Sequence, residues 1–192
     1  MESLIGFVGK DFTIIGADAA AARSIVVFKQ TEDKILELDQ FKLLAATGPV
    51  GDRYQFCEYV QKNIHLHELR TDVRLNTKAA ANWTRNQLAM ALRKGPYQVS
   101  LLIGGYDEGK GASLYFVDYM GAMHPMPMAA HGYCANFVLA TLDRDYKKDM
   151  NLDEAKELMK KCLNALDQRF LLNQKQWTFK VVDKDGTREI TL

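Results

Sequence analysis

The histidines and cysteines of this 192-residue chain are the first place to look for chemistry. His65 and His67 lie two apart. On a helix that spacing puts the side chains about 200° apart, so the two cannot share a metal ion. His67 is expected on a buried stripe and His65 on a polar face. His131 and Cys134 lie three apart at an expected helix start, where the helix dipole favours a thiolate. A Cys–His nucleophile pair is conceivable there, but no other residue supports it. His124 sits in MGAMHPMPM, whose Met120, Met123, Met126 and Met128 form either a soft contact surface or core filler. Gly104-Gly105 is no phosphate loop, because no G-x-x-x-x-G-K follows and no helix starts there. No metal or cofactor site emerges from these residues.

The elements that would position them follow from periodicity. A strand begins at residue 3, with Leu4, Gly6 and Val8 on one face and Ile5, Phe7 and Gly9 on the other. After a turn at Gly9-Lys10-Asp11, Phe12, Ile14 and Gly16 alternate with Thr13, Ile15 and Ala17. Ser24 to Lys29, Lys34 to Leu38 and Lys42 to Thr47 complete five short strands ending at Gly48-Pro49. Two helices are expected, over 52–69 with the stripe Phe56, Val60, Ile64 and His67, and over 77–93 with Ala80, Trp83, Thr84, Leu88 and Ala91. Asn76 or Thr77 caps the second, and Gly95-Pro96 stops it. Three strands follow, over 98–106, 113–118 and 122–126. Then come two more helices, from about 131 to 143 and onward from Asn151. The first carries the stripe Ala135, Val138, Leu139 and Leu142. The second carries Ala155, Leu158, Met159, Cys162 and Leu166, with a capping-box spacing at Asn151 and Glu154. A closing hairpin joins 177–183 to 187–191 around Lys184-Asp185-Gly186.

Runs of strands alternating with helix pairs are not the βα alternation of a parallel sheet. Hairpin connections point to antiparallel sheets, and apolar runs such as SLLIG point to strands covered on both faces. An α+β fold satisfies both: a four-layer αββα sandwich of two antiparallel sheets, here one domain over residues 1–192. Lys and Arg number 25 against 24 Asp and Glu, a balance that gives no electrostatic footprint for nucleic acid or an anionic membrane. No apolar run approaches a membrane span, and Glu2 stands where a basic signal region would begin. The odd, scattered cysteines Cys57, Cys134 and Cys162 suit reduced, packed thiols in a cytosolic or nuclear setting.

Several strings carry a further signal: PVGDRYQFCEYVQKNIHLHELR over 49–70, LLIGGYDEGKGASLYFVDYMGA over 101–122, AAHGYCANFVLATLDRDY over 129–146, then EAKELMKKCLNALDQRFLLN and VVDKDG near the end. Together they resemble a beta-type subunit of the proteasome core particle, among the N-terminal nucleophile hydrolases, over nearly the whole chain. The likeness is to the non-catalytic fourth ring position. It implies the αββα fold again, cytoplasmic and nuclear placement, and work in ubiquitin-dependent and ubiquitin-independent protein degradation. It implies as partners the other beta subunits of the same and the opposite ring and the alpha-ring subunits. No cofactor is implied.

Catalytic members of that family attack the peptide carbonyl with an N-terminal Thr, whose own amine is the general base. The resemblance puts Glu2 at that position, behind Met1, with no hydroxyl and no propeptide ahead of it. Asp18 matches the family's aspartate, Lys34 the lysine it pairs with, and Gly48 the backbone N–H of an oxyanion hole. The serine and aspartate that hold the amine align near Tyr133 and Phe170, and a further serine aligns with Asn173. None of these three is a like replacement. A structural ion pair is the expected role of Asp18 and Lys34. The alternative is an active threonine protease of the same fold, and an alpha-type scaffold would need a helical extension ahead of the first strand.

Overall fold

A computed structural model describes residues 2–23, 26–170 and 174–192. Two five-stranded antiparallel sheets face each other. One has the strand order β10-β1-β2-β11-β12, formed by Met128–Gly132, Ser3–Val8, Phe12–Asp18, Trp177–Asp183 and Gly186–Ile190. The other has the order β5-β6-β7-β8-β9, formed by Ile35–Asp39, Lys42–Thr47, Ser100–Asp107, Gly111–Val117 and Met123–Pro125. A small ribbon joins β3 (Ala21–Arg23) to β4 (Val26–Lys29). Helices α1 (Val50–Thr71) and α2 (Thr77–Ala91) cover the second sheet, and α3 (Ala135–Asp145) and α4 (Leu152–Arg169) cover the first.

Strand alternation makes three cores from two sheets. On β1 and β2, Ile5, Phe7, Phe12 and Ile14 pack under α3 and α4 with Val138, Leu158, Met159 and Cys162. Their neighbours Leu4, Ile15 and Ala17 point the other way and meet Leu43, Ala45, Leu102 and Leu114 between the sheets. On β6 and β7, Leu44, Leu101 and Ile103 face Phe56, Val60, Ile64 and Leu88 of α1 and α2. This is the αββα sandwich expected from the pattern. Leu101 to Gly105 are all buried, as a doubly covered strand requires.

Polar groups also tie the two sheets together. Thr13 Oγ1 on β2 donates to Ser113 O on β8 at 3.1 Å. Lys180 Nζ on β11 reaches Ile35 O at 2.8 Å and Asp33 Oδ2 at 2.6 Å. His131 Nε2 on β10 lies 3.0 Å from Leu101 O on β7, and its ring stacks on Phe116 at 4.0 Å between centroids. The Gly104-Gly105 pair is a packing device. A Cβ on Gly104 would stand 2.7 Å from the Thr13 methyl of the facing sheet, and one on Gly105 would stand 2.3 Å from Thr77 Oγ1 of α2.

Helix ends follow their local signals with some shifts. Asn151 and Glu154 form the full capping box, and Asn76 Oδ1 accepts from Ala79 N–H at 2.8 Å. Helix α1 starts at Val50 rather than 52, since Pro49 supplies an extended entry residue without a side-chain cap. Three expectations need correction. Residues 21–23 form a short strand of their own. The segment before α3 is strand β10, so His131 lies in a sheet and the helix begins at Ala135. Gly132 makes that change possible: its φ of +82 turns the chain out of the strand. Leu139 is exposed, and Thr141 takes a buried position on α3 instead.

Candidate functional site

The site gathers where β1, β2, β5, β6 and α1 begin or end. Asp18 closes β2 and is fully buried. Its Oδ1 accepts from Ser3 N–H at 2.7 Å, and its Oδ2 accepts from Lys34 Nζ at 2.9 Å and Ala20 N–H at 3.3 Å. Lys34, just before β5, also donates to Ala20 O at 2.8 Å, and neither side chain of the pair is exposed. Asp18 and Lys34 are therefore a buried, hydrogen-bonded ion pair holding the start of β1 to the end of β2.

Gly48 follows β6 with φ +142, and a Cβ there would lie 2.2 Å from Gln98 O. That turn aims its N–H at Glu2, whose Oε2 accepts it at 2.6 Å. Glu2 Oε1 lies 3.6 Å from Lys34 Nζ and 3.3 Å from Arg53 Nε. Arg53, in the first turn of α1, is paired with Glu32. Burial alone would lower the Arg53 pKa, but the Glu32 hydrogen bond and the charges of Glu2 and Glu32 raise it. The result is a chain of alternating charge, Glu32–Arg53–Glu2–Lys34–Asp18, that is almost wholly removed from water.

Arg53 and Glu32 escaped the sequence reading. For Arg53 a signal existed: it stands in register with Phe56, Val60 and Ile64 on the buried stripe of α1, and a charge on that stripe needs a partner. Glu32 lies in a segment without periodicity and carried none.

Beside Glu2 and Gly48 opens a cavity of about 640 Å³, lined also by Phe28, Thr47, Val50 and Tyr133. Tyr133 is exposed and stacks on Phe170, with ring centroids 6.4 Å apart; Phe170 also meets Phe137 at 5.8 Å. Tyr133 and Phe170 are thus brought together as an aromatic cluster at the end of α4. Asn173 and Met1 lie outside the described residues.

The remaining candidates do not converge. Cys134 Sγ donates to His131 O at 3.2 Å and Leu4 O at 3.4 Å. Burial pushes its thiol up to about 12 and His131 down to about 4. A thiol that stays protonated and donates to backbone carbonyls, with a neutral imidazole turned instead to Leu101 O and Phe116, is not a nucleophile pair. Cys57 and Cys162 are likewise pushed up to about 12 by burial. His65 is exposed and His67 half-buried on α1, and His124 is exposed on β9. The methionine run splits, with Met120 and Met126 exposed while Met123 packs against the core under α1 and α2 and Met128 against the core under α3 and α4. Among the described residues, no three His, Cys, Asp or Glu side chains are grouped to hold a metal ion, and no helix is long and apolar enough to cross a membrane.

Residues 2–182 match the family model described as proteasome subunit. The chain is 49% identical over 189 residues to proteasome subunit beta type-2-B of Arabidopsis thaliana, covering 98% of this chain and 95% of the relative. It is 43% identical over 191 residues to proteasome subunit beta type-2 of Dictyostelium discoideum, covering 98% and 96%. It is 38% identical over 192 residues to proteasome subunit beta type-4 of Saccharomyces cerevisiae, covering 99% and 97%. The chain belongs to the proteasome subunit family, and its likeness to the beta-type members runs over almost its full length.

Proposed function

We propose that this chain is a non-catalytic beta-ring subunit of the proteasome core particle. It helps wall the proteolytic chamber and position catalytic neighbours, in cytoplasm and nucleus. Its partners are beta subunits of the same and the opposite ring and subunits of the alpha ring. The observation that carries this reading is the bond from Gly48 N–H to Glu2 Oε2 at 2.6 Å. By the family resemblance Glu2 stands at the nucleophile position. A carboxylate there supplies no hydroxyl for attack, and it already occupies the donor that a developing oxyanion would need. Asp18 and Lys34, so arranged, have no covalent step to assist and serve as structure. The exposed Tyr54, Tyr59, Met90, Tyr119 and Met120 fit surfaces covered by neighbours.

The test is to treat the assembled particle with a threonine-directed epoxyketone and weigh each subunit. Catalytic subunits gain the adduct mass and this chain does not. An adduct on this chain overturns the reading, as does isolation of the native chain from cell extract chiefly as a free monomer.

A further inference from the structure

We propose that Gly48 N–H, Arg53 Nε and Lys34 Nζ form a carboxylate-binding cradle whose occupant is the chain's own Glu2, a tethered ligand that a free small monocarboxylate replaces when the Glu2 side chain is removed.

The cradle is built from buried parts. The Lys34 and Arg53 side chains are 0% and 4% exposed. Their other bonds do not exhaust them. Lys34 spends two of its three N–H donors on Asp18 and Ala20 O and adds charge attraction to Glu2 Oε1 at 3.6 Å. Arg53 spends an Nη on Glu32, while its Nε, buried, makes no hydrogen bond among the described residues and lies 3.3 Å from Glu2 Oε1. Gly48 N–H has Glu2 Oε2 as its acceptor. One carboxylate therefore meets two separate groups with its two oxygens, Oε2 accepting from Gly48 N–H and Oε1 pairing by charge with Arg53 Nε at 3.3 Å. The start of α1 lies next to it, at Val50, with Pro49 offering no side-chain cap, so the positive end of a 22-residue helix adds to the field. Without the Glu2 carboxylate, Asp18 still matches Lys34 and Glu32 still matches Arg53. Gly48 N–H then loses its acceptor and Arg53 Nε its second charge partner, both facing the place the carboxylate held. The cavity of about 640 Å³ that Glu2 and Gly48 both line gives a small anion its way in.

The experiment compares the 192-residue wild-type chain, Glu2→Ala and Glu2→Gln by amide hydrogen exchange at Gly48 and by thermal melting. The probes are sodium acetate, acetamide and sodium chloride at matched ionic strength. In Glu2→Ala the Gly48 amide exchanges faster by on the order of tenfold, as loss of a charge-assisted acceptor predicts. Acetate slows it back toward the wild-type rate, while acetamide and chloride do not, and acetate leaves the wild type and Glu2→Gln unchanged because their cradle is filled. An acetate effect absent from Glu2→Ala, equal in the wild type, or matched by chloride overturns the assignment. Glu2→Gln keeps an acceptor for Gly48 but turns a neutral amide toward Arg53 and Lys34. Its melting temperature falls below the wild type, and an unchanged value overturns the proposal even where Glu2→Ala fails to fold.

Discussion

His131 makes the stability of this fold depend on pH, and the size of the effect follows from its surroundings. The ring is sandwiched between the sheets, stacked on Phe116, with Nε2 facing Leu101 O at 3.0 Å. A carbonyl only accepts, so Nε2 carries the proton of the neutral ring. Burial holds the folded-state pKa down at about 4, against an ordinary value of 6.5; the Leu101 carbonyl and the charge of Asp118 offset only part of that push. Between those values the unfolded chain binds a proton that the folded chain refuses, so stability falls as pH falls. Above about pH 7.5 the group contributes almost nothing. The complete loss below pH 4 is about 3 kcal/mol, of which about 2 kcal/mol accrues between pH 7 and pH 5. His131→Gln keeps a donor and abolishes the titration. Urea unfolding, followed by Trp83 and Trp177 fluorescence at pH 7 and pH 5, isolates the term as a difference of differences. The wild type should lose about 2 kcal/mol more than His131→Gln over that interval. Parallel losses in the two proteins would refute the burial argument, because every other titrating group is common to both.

Three other outcomes are expected. Lys34→Ala leaves Asp18 buried without its cation and costs roughly 3–5 kcal/mol of unfolding free energy, part of which the double change Asp18→Asn/Lys34→Met restores; urea midpoints measure both. Gly132→Ala destabilises by more than about 2 kcal/mol, since φ is +82 and the new Cβ would lie 1.9 Å from Glu2 O, whereas Gly51→Ala, with open space around it in α1, is neutral or stabilising by up to about 1 kcal/mol. Cys57, Cys134 and Cys162, all buried and with thiols pushed up to about 12, resist alkylation at pH 8 until the chain unfolds; rapid native-state labelling of any of them contradicts that.

Much of the site was legible only in part. Asp18, Lys34, Gly48 and Glu2 were singled out through family strings, and no local pattern would have brought four residues spread over 47 positions to one point. His131 and Cys134 show the opposite failure. Their spacing of three looks like a helix start, yet Gly132, free to take a positive φ, ends strand β10 between them and puts each ring and thiol in a different core. The stripe on α3 misassigned Leu139 because an 11-residue amphipathic helix with apolar residues on several sides does not say which side meets the sheet.

The sequence by itself determined the elements whose signals are local. Alternation in Leu4–Val8 and Phe12–Ala17 made two-faced strands, the Asn151/Glu154 box started α4, and the stripe from Ala155 to Leu166 chose its buried face. Those choices follow from bond geometry and from water excluding apolar side chains, which act over a few residues. Only the tertiary structure decided that Glu2, Glu32 and Arg53 join Asp18 and Lys34 in one buried line of charge. An ion pair in the interior exists only when packing carries both charges out of water together, and that depends on two sheets and a helix meeting at their ends rather than on any stretch of chain.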